Sequence, residues 1–522
     1  MPILMAAAVS LALAGGAQAA PALSETALRR EADLRRADSA LLRRAARAQD
    51  GRLRREALRA MGNIQSPSYE GDLVAALSSG EPRTRVEAVF DLGQLALLEP
   101  AGPDEAETRR LSELRGRAAA ALAPLLRAGP AELRCAAAEA LGKAGGSAAE
   151  PLLVEALRGE ESCLRQEAAL ALFRLRYLKR IPEYSSSAVA GLAAAARAPE
   201  AELRWRAVYA FSRWPEPRAA EALSAAARDE DARARLFALR ALGQLNAAAP
   251  AEALSAAAND PDAMVRREAV AALAAAGRAD LLDEAVWRDP SAHVRAAAAG
   301  ALAGGAGDKL AGRLEPLLAD PSPMVRGAAV LAVPKLARDA AASLARQKDS
   351  PDWWVKSRAY LAMAEVPGSR ADLLQGLADP DPRAASAALE ALGKSTEAFV
   401  VPILERVLRD PKSSLELRGT AADAAAERAG FPLEALDAAW RNSQGREWSE
   451  VRDSIKRAAQ VATSRPGYSG GPYVFLEPKA EVSPSPFLRE KPPPASVVLQ
   501  TTQGDIEIAL EVDEAPVRSE ER

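Results

Sequence analysis

The chain has 522 residues, 49% hydrophobic but only 4% aromatic, with 68 Lys and Arg against 71 Asp and Glu and a formal net charge of −3. That balance argues against a generic nucleic-acid binder, which shows a basic excess. One His and two Cys leave too few ligands for a zinc cluster and no His-dependent triad, and no P-loop or dinucleotide fingerprint occurs, so neither metal nor cofactor is expected.

In chain order, Ile3 to Ala14 is apolar but too short to span a bilayer, and Ala17-Gln18-Ala19 before Ala20-Pro21 has the small-x-small form of a signal-peptidase site. Residues 1–19 are expected to be a signal peptide and the protein exported, to a periplasm or the outside, although Met1-Pro2 lacks the usual positive charge. No further membrane span is expected. Residues 23–60 hold eleven Arg against six acidic side chains, the pattern of a solvated outer face on a first, capping repeat.

From there one phrase recurs, an apolar or small residue followed by Arg or Lys and an Ala-rich helix. It stands at Leu53-Arg54, Thr84-Arg85, Leu133-Arg134, Leu164-Arg165, Leu203-Arg204, Ala234-Arg235, Val265-Arg266, Val294-Arg295, Val325-Arg326, Val355-Lys356, Leu417-Arg418 and Val451-Arg452. The intervals run from 29 to 34 residues except for three of 39, 49 and 62, and the longest hides a copy whose Arg position is Ala385. Within one copy Val265, Ala269, Val270, Ala272 and Leu273 form a single stripe on a helix of period 3.6. Asp50, Asp231, Asp262, Ser291, Ser322, Asp352, Asp381 and Ser414 are placed to cap that second helix, and Asp-Pro at 260–261, 289–290, 320–321, 379–380 and 410–411 ends the helix before it. Each unit reads as helix, turn, helix. No such pair closes a core alone, so successive pairs must stack.

Stacking would bring the Arg side chains near one another, and unpaired they would repel. Asp229, Asp260, Asp289 and Asp320 lie six residues before Arg235, Arg266, Arg295 and Arg326, which predicts an Asp/Arg ladder with pairing across the turn; Asp379 holds the same place. The rhythm breaks at Glu99 to Asp104 and at Lys179 to Tyr184, expected as loops on one face. Trp205 and Tyr209, at i and i+4 on a position that varies between copies, are the candidate partner-binding residues. Cys135 and Cys163 fall at different registers, and helix spacing favours two separate thiols. His293 reads as a helix-start residue.

Asp260-Pro-Asp-Ala-Met-Val-Arg-Arg-Glu-Ala and Asp289-Pro-Ser-Ala-His-Val-Arg-Ala-Ala-Ala resemble the short, PBS-lyase-like form of the HEAT-repeat family. The resemblance implies an all-α, right-handed α-solenoid of about 12–13 helical hairpins over residues 20–462. It implies a scaffold binding a protein or peptide, and the charge balance leaves nucleic acid out of the expected partners.

Beyond it, Arg465 to Ser496 contains eight prolines, an extended linker expected over 463–496. Residues 497–522 then alternate, Val497 to Thr502 and Asp505 to Leu510 about Gln503-Gly504, as in a β-hairpin. With Asp513-Glu514-Ala515-Pro516 this tail resembles the opening of a cyclophilin-type peptidyl-prolyl isomerase. The family's catalytic residues lie downstream of that opening and none can be carried over. The expectation is therefore a non-catalytic exported scaffold, or an isomerase if the full-length protein continues.

Overall fold

Side-chain capping fixes where the second helices begin. Asp262 accepts the N–H groups of Met264 and Val265 at 2.7 and 3.2 Å, and Asp50, Asp231, Asp352, Asp381 and Ser414 do the same for theirs. Ser291 and Ser322 also stand at N-caps, but there the Asp two residues earlier does the bonding, accepting the serine N–H at 2.8 Å in both cases. These contacts come from a computed structural model that describes residues 23–464 except 101, 103 and 305–307, together with 473, 475, 496–501 and 504–509.

The described residues divide into two compact units. In the first, the second helices Gly51–Ile64, Pro82–Leu95 and Ala131–Ala144 pack in succession. The lengthened interval at 99–104 is more than a loop, because it extends the following first helix to Glu105–Leu122, 18 residues where Glu70–Ala76 has seven.

The second unit stacks Ala201–Tyr209, Ala232–Gly243, Ala263–Ala275, Ala292–Ala303, Pro323–Val330, Trp353–Met363, Pro382–Gly393, Leu415–Ala426 and Ser449–Thr463, each against the next. Val265, Ala269, Val270 and Leu273 have no exposed surface, and burying each Val or Leu contributes about 1.5–3 kcal/mol. Close approach needs small residues. A Cβ on Gly243 would stand 3.1 Å from the Cβ of Ala272 in the next repeat, and one on Gly393 3.0 Å from that of Ala424.

Past the last helix, Phe475 stacks on Trp440 with ring centroids 4.6 Å apart, and the Tyr473 hydroxyl bonds Asp437. At these two residues the segment expected as linker is packed chain, and the rest of 465–495 lies outside the described residues, as do 1–22. Ser496–Thr501 pairs antiparallel with Gly504–Ala509, Thr501 opposite Gly504. Residues 510–522 lie outside the described residues.

One expectation is overturned. Cys135 and Cys163 are both disulfide-bonded and no described cysteine is free. The argument for separate thiols used the spacing of helix axes, about 8–10 Å. Each Cα sits about 2.3 Å off its axis, so facing Cα atoms come within the span of about 4.4–6.8 Å that a bridge accepts.

Candidate partner-binding face

Trp205 and Tyr209 both lie on the second helix Ala201–Tyr209, four residues apart and half-buried. Neither stands alone. Tyr209 contacts the rings of Phe173 at 4.6 Å and Phe237 at 4.8 Å; Trp205 lies 6.0 Å from Phe237, and Trp214 lies 5.7 Å from Phe173. Five of the chain's seven Trp, seven Tyr and eight Phe thus gather at one place. Phe173 is buried and the other four rings are half-buried, so those four keep edges in water that a partner could cover, and aromatic pairs of this geometry contribute about 0.5–1.5 kcal/mol beyond burial.

Charge surrounds the rings. The guanidiniums of Arg206 and Arg233 stand 5.4 and 5.2 Å from the Trp205 ring centre, and that of Arg240 5.6 Å from Phe237. Trp205 Nε1 donates to Glu202 Oε2 at 2.9 Å, and Arg233 pairs with the same carboxylate at 2.7 Å. These two bonds, the indole's first, hold the Glu202 carboxyl below its ordinary range. Each guanidinium already has a carboxylate of this chain, Arg206 with Glu167, Arg240 with Glu268 and Arg233 with Glu202 and Asp231, so the rings rather than the charges are the surface left for a partner. Trp205 and Tyr209 were visible in the sequence from their variable position. Phe173, Trp214 and Phe237 were missed, and the signal for them was only that aromatics are scarce in this chain and these fall in neighbouring repeats.

The Asp/Arg positions come together as well, with a different pairing from the one expected. Arg235 does not meet the carboxylate of Asp229. It donates Nη1 to the Asp229 and Glu230 carbonyls at 2.8 and 3.0 Å, and forks Nε and Nη2 onto Asp260 of the following repeat at 2.7 and 2.8 Å. Arg204 with Asp229, Arg266 with Asp289 and Arg295 with Asp320 repeat this fork at 2.7–2.9 Å. The reason is geometric. The turn holds the Arg against the carbonyls that end the preceding helix, where the helix dipole is negative, while the Asp side chain turns back to cap its own turn. Arg326 reaches the Asp320 and Pro321 carbonyls at 2.8 and 3.1 Å, but Ser350 stands where the next Asp would be.

The four forked guanidiniums are 13–15% exposed and their carboxylates 7–9%, so salt screens these pairs weakly. The carboxylate hydrogen bond raises the pKa of Arg204, Arg235, Arg266 and Arg295. Arg295 holds the Asp320 carboxyl below its ordinary range. At Asp289 burial pushes upward, but the bonds from Arg266 and the Ser291 N–H outweigh it and the net shift is downward.

His293 is exposed at the start of Ala292–Ala303. Among the described residues no group of three or more His, Cys, Asp and Glu could hold a metal ion, and no helix is long and apolar enough to cross a membrane.

The sequence matches the HEAT repeats family over residues 189–274, 279–364 and 343–426, and the PBS lyase HEAT-like repeat over 133–159. No curated protein matches it. Among solved structures, yeast importin-beta (Kap95p) aligns with a TM-score of 0.49 at 13% identity, covering 84% of this chain and 68% of that one. The Kap95:Nup1 complex gives 0.45 at 13% identity over 84% and 67%, and importin beta in an ammonium sulfate condition 0.40 at 15% over 83% and 61%. Helical hairpins stacked at this spacing, with capped second helices and small residues between them, are what the family match describes: residues 133–426 of the chain are HEAT repeats.

Proposed function

We propose that the chain is a scaffold whose HEAT repeats hold a protein or peptide partner, with Trp205 and Tyr209 among the anchoring side chains. The observation that carries this reading is the ring cluster about Tyr209, built on the buried Phe173 with Trp205, Tyr209, Trp214 and Phe237 half-buried around it and flanked by Arg206, Arg233 and Arg240. Its test is selection of peptides from a displayed library against the full chain. Trp205→Ala and Tyr209→Ala, each checked for helicity, should abolish capture of the selected peptides, whereas undiminished capture by both would remove the site.

We further place the protein outside the cytoplasm. The small-x-small stretch at 17–19 supports export, and a bonded pair of cysteines suits an oxidising compartment. Export predicts a mature N-terminus at Ala20, read by N-terminal sequencing of native protein, and an N-terminus at Met1 would sink it.

A second reading rests on the hairpin Ser496–Thr501 and Gly504–Ala509, which suits the start of a cyclophilin-type domain tethered to the scaffold. Native protein should then catalyse prolyl isomerisation of a test peptide. Absence of that activity in protein of full native mass leaves the scaffold reading alone.

A further inference from the structure

The two places where the repeat rhythm breaks meet in the first unit. Arg180, from the stretch at 179–184, donates Nη2 to Glu99 Oε1 at 3.1 Å and to the Ala96 carbonyl at 3.2 Å, and Nε to the Lys143 carbonyl at 3.3 Å. Arg115, on the lengthened helix Glu105–Leu122, lies 3.3 Å from the same Glu99 oxygen and donates to the Ala96 and Leu98 carbonyls. Two guanidiniums with side chains 13% and 9% exposed therefore share one carboxylate that is itself 61% exposed. The charge is under-compensated. Burial first, and then the neighbouring charge of Arg180, lower the Arg115 pKa, as expected for cations crowded together without enough anion.

Beside them opens a cavity of about 530 Å³, within the range of about 300–1,000 Å³ that small-molecule sites occupy. Arg115, Lys179 and Arg180 line it and no acidic side chain does, while Ala119, Leu141 and Leu152 supply apolar wall. Lys179 is exposed and has a left-handed backbone (φ 56°), and among the described residues its ammonium pairs with no carboxylate. Three positive charges at an apolar-walled cavity have a specific complement.

We propose that this cavity binds a small organic anion, a carboxylate or phosphate head on a short apolar body, with the head against Arg115, Lys179 and Arg180 and the body against the Ala/Leu wall. The site does not depend on the partner-binding face.

Titration calorimetry on the full chain tests it, using hexanoate, hexyl phosphate, acetate and inorganic phosphate at matched chloride ionic strength. The expected result is one-site binding of hexanoate, hexyl phosphate or both, with the tighter of the two naming the head. Lys179→Glu should weaken that binding at least about tenfold, since it removes a charge-assisted hydrogen bond and sets a carboxylate against the anion. Because Lys179 is exposed, this variant should keep the wild-type melting temperature. Ala120→Leu, which narrows the cavity, should weaken the six-carbon probes more than inorganic phosphate. No heat beyond that of chloride for any probe, equal affinity in Lys179→Glu, or inorganic phosphate bound as tightly as hexyl phosphate would each overturn the proposal.

Discussion

The second unit uses the same Arg position in two ways. In the repeats around Arg235, Arg266 and Arg295 each guanidinium binds the carbonyls ending the preceding helix and also forks onto an Asp of the next repeat. Arg418 has no exposed surface and, among the described residues, no such fork. It donates to the carbonyls of Asp410, Pro411 and Asn442 at 2.9, 3.2 and 2.5 Å and to Ser443 Oγ at 3.3 Å, and its guanidinium lies 4.5 Å from the Trp448 ring centre. The pKa shifts follow the chemistry, upward at Arg266 from Asp289 and downward at Arg418 from burial. What persists between the two regions is the grip on the two carbonyls that follow the preceding helix, Asp-Pro at Arg266, Arg295 and Arg418 and Asp-Glu at Arg235. That grip sets the turn, and the carboxylate ties one repeat to the next where it is present.

The comparison can be broken most sharply by stranding a charge. Asp289→Ala leaves Arg266 buried beside carbonyls only and should cost about 3–5 kcal/mol, read as a lower midpoint in urea. Arg418→Met strands no charge but leaves carbonyls without a donor, so it should cost about 1–3 kcal/mol. A larger loss at Arg418 than at Asp289 would mean that the forks contribute less than the carbonyl contacts.

Acid should separate the regions next. The Asp289 and Asp320 carboxyls are depressed in the folded chain. Their contribution is therefore fully present above the ordinary carboxylate pKa of about 3.9 and is lost as pH falls through the lower folded values. Hydrogen exchange below about pH 4 should rise in residues 260–326 before it rises in 410–452, and Asp289→Asn should flatten part of that dependence. Simultaneous opening of both would show that the stack melts as one body.

Smaller still is the effect of packing between second helices. Gly243→Leu must displace Ala272 and should cost about 1–3 kcal/mol, visible as a lower melting temperature with unchanged helicity. Last, Trp205→Ala removes a half-buried ring outside the Asp/Arg contacts. Losing its ring contacts and the bond to Glu202, it should cost about 1–2 kcal/mol while abolishing capture of selected peptides.

The helical hairpins were legible because capping and periodicity are local. Asp262, Asp-Pro at 260–261 and the stripe from Val265 to Leu273 each act within a few residues of themselves. The Asp/Arg positions were legible too, but the direction of the pairing was not, since Arg235 is near Asp229 in sequence and reaches Asp260 only when the next repeat is in place. The ring cluster was half legible. Trp205 and Tyr209 share a helix, whereas Phe173 and Phe237 join them from other helices.

The sequence by itself determined repeat length, helix starts and Asp-Pro stops, because each depends on residue type and on spacing within one turn or one helix. Tertiary structure decided which carboxylate each Arg takes, that Cys135 and Cys163 are bonded, and that Arg180 meets Glu99 beside one basic cavity. Those outcomes depend on distances between residues 23 to 84 positions apart, which stacking sets and no local rule specifies.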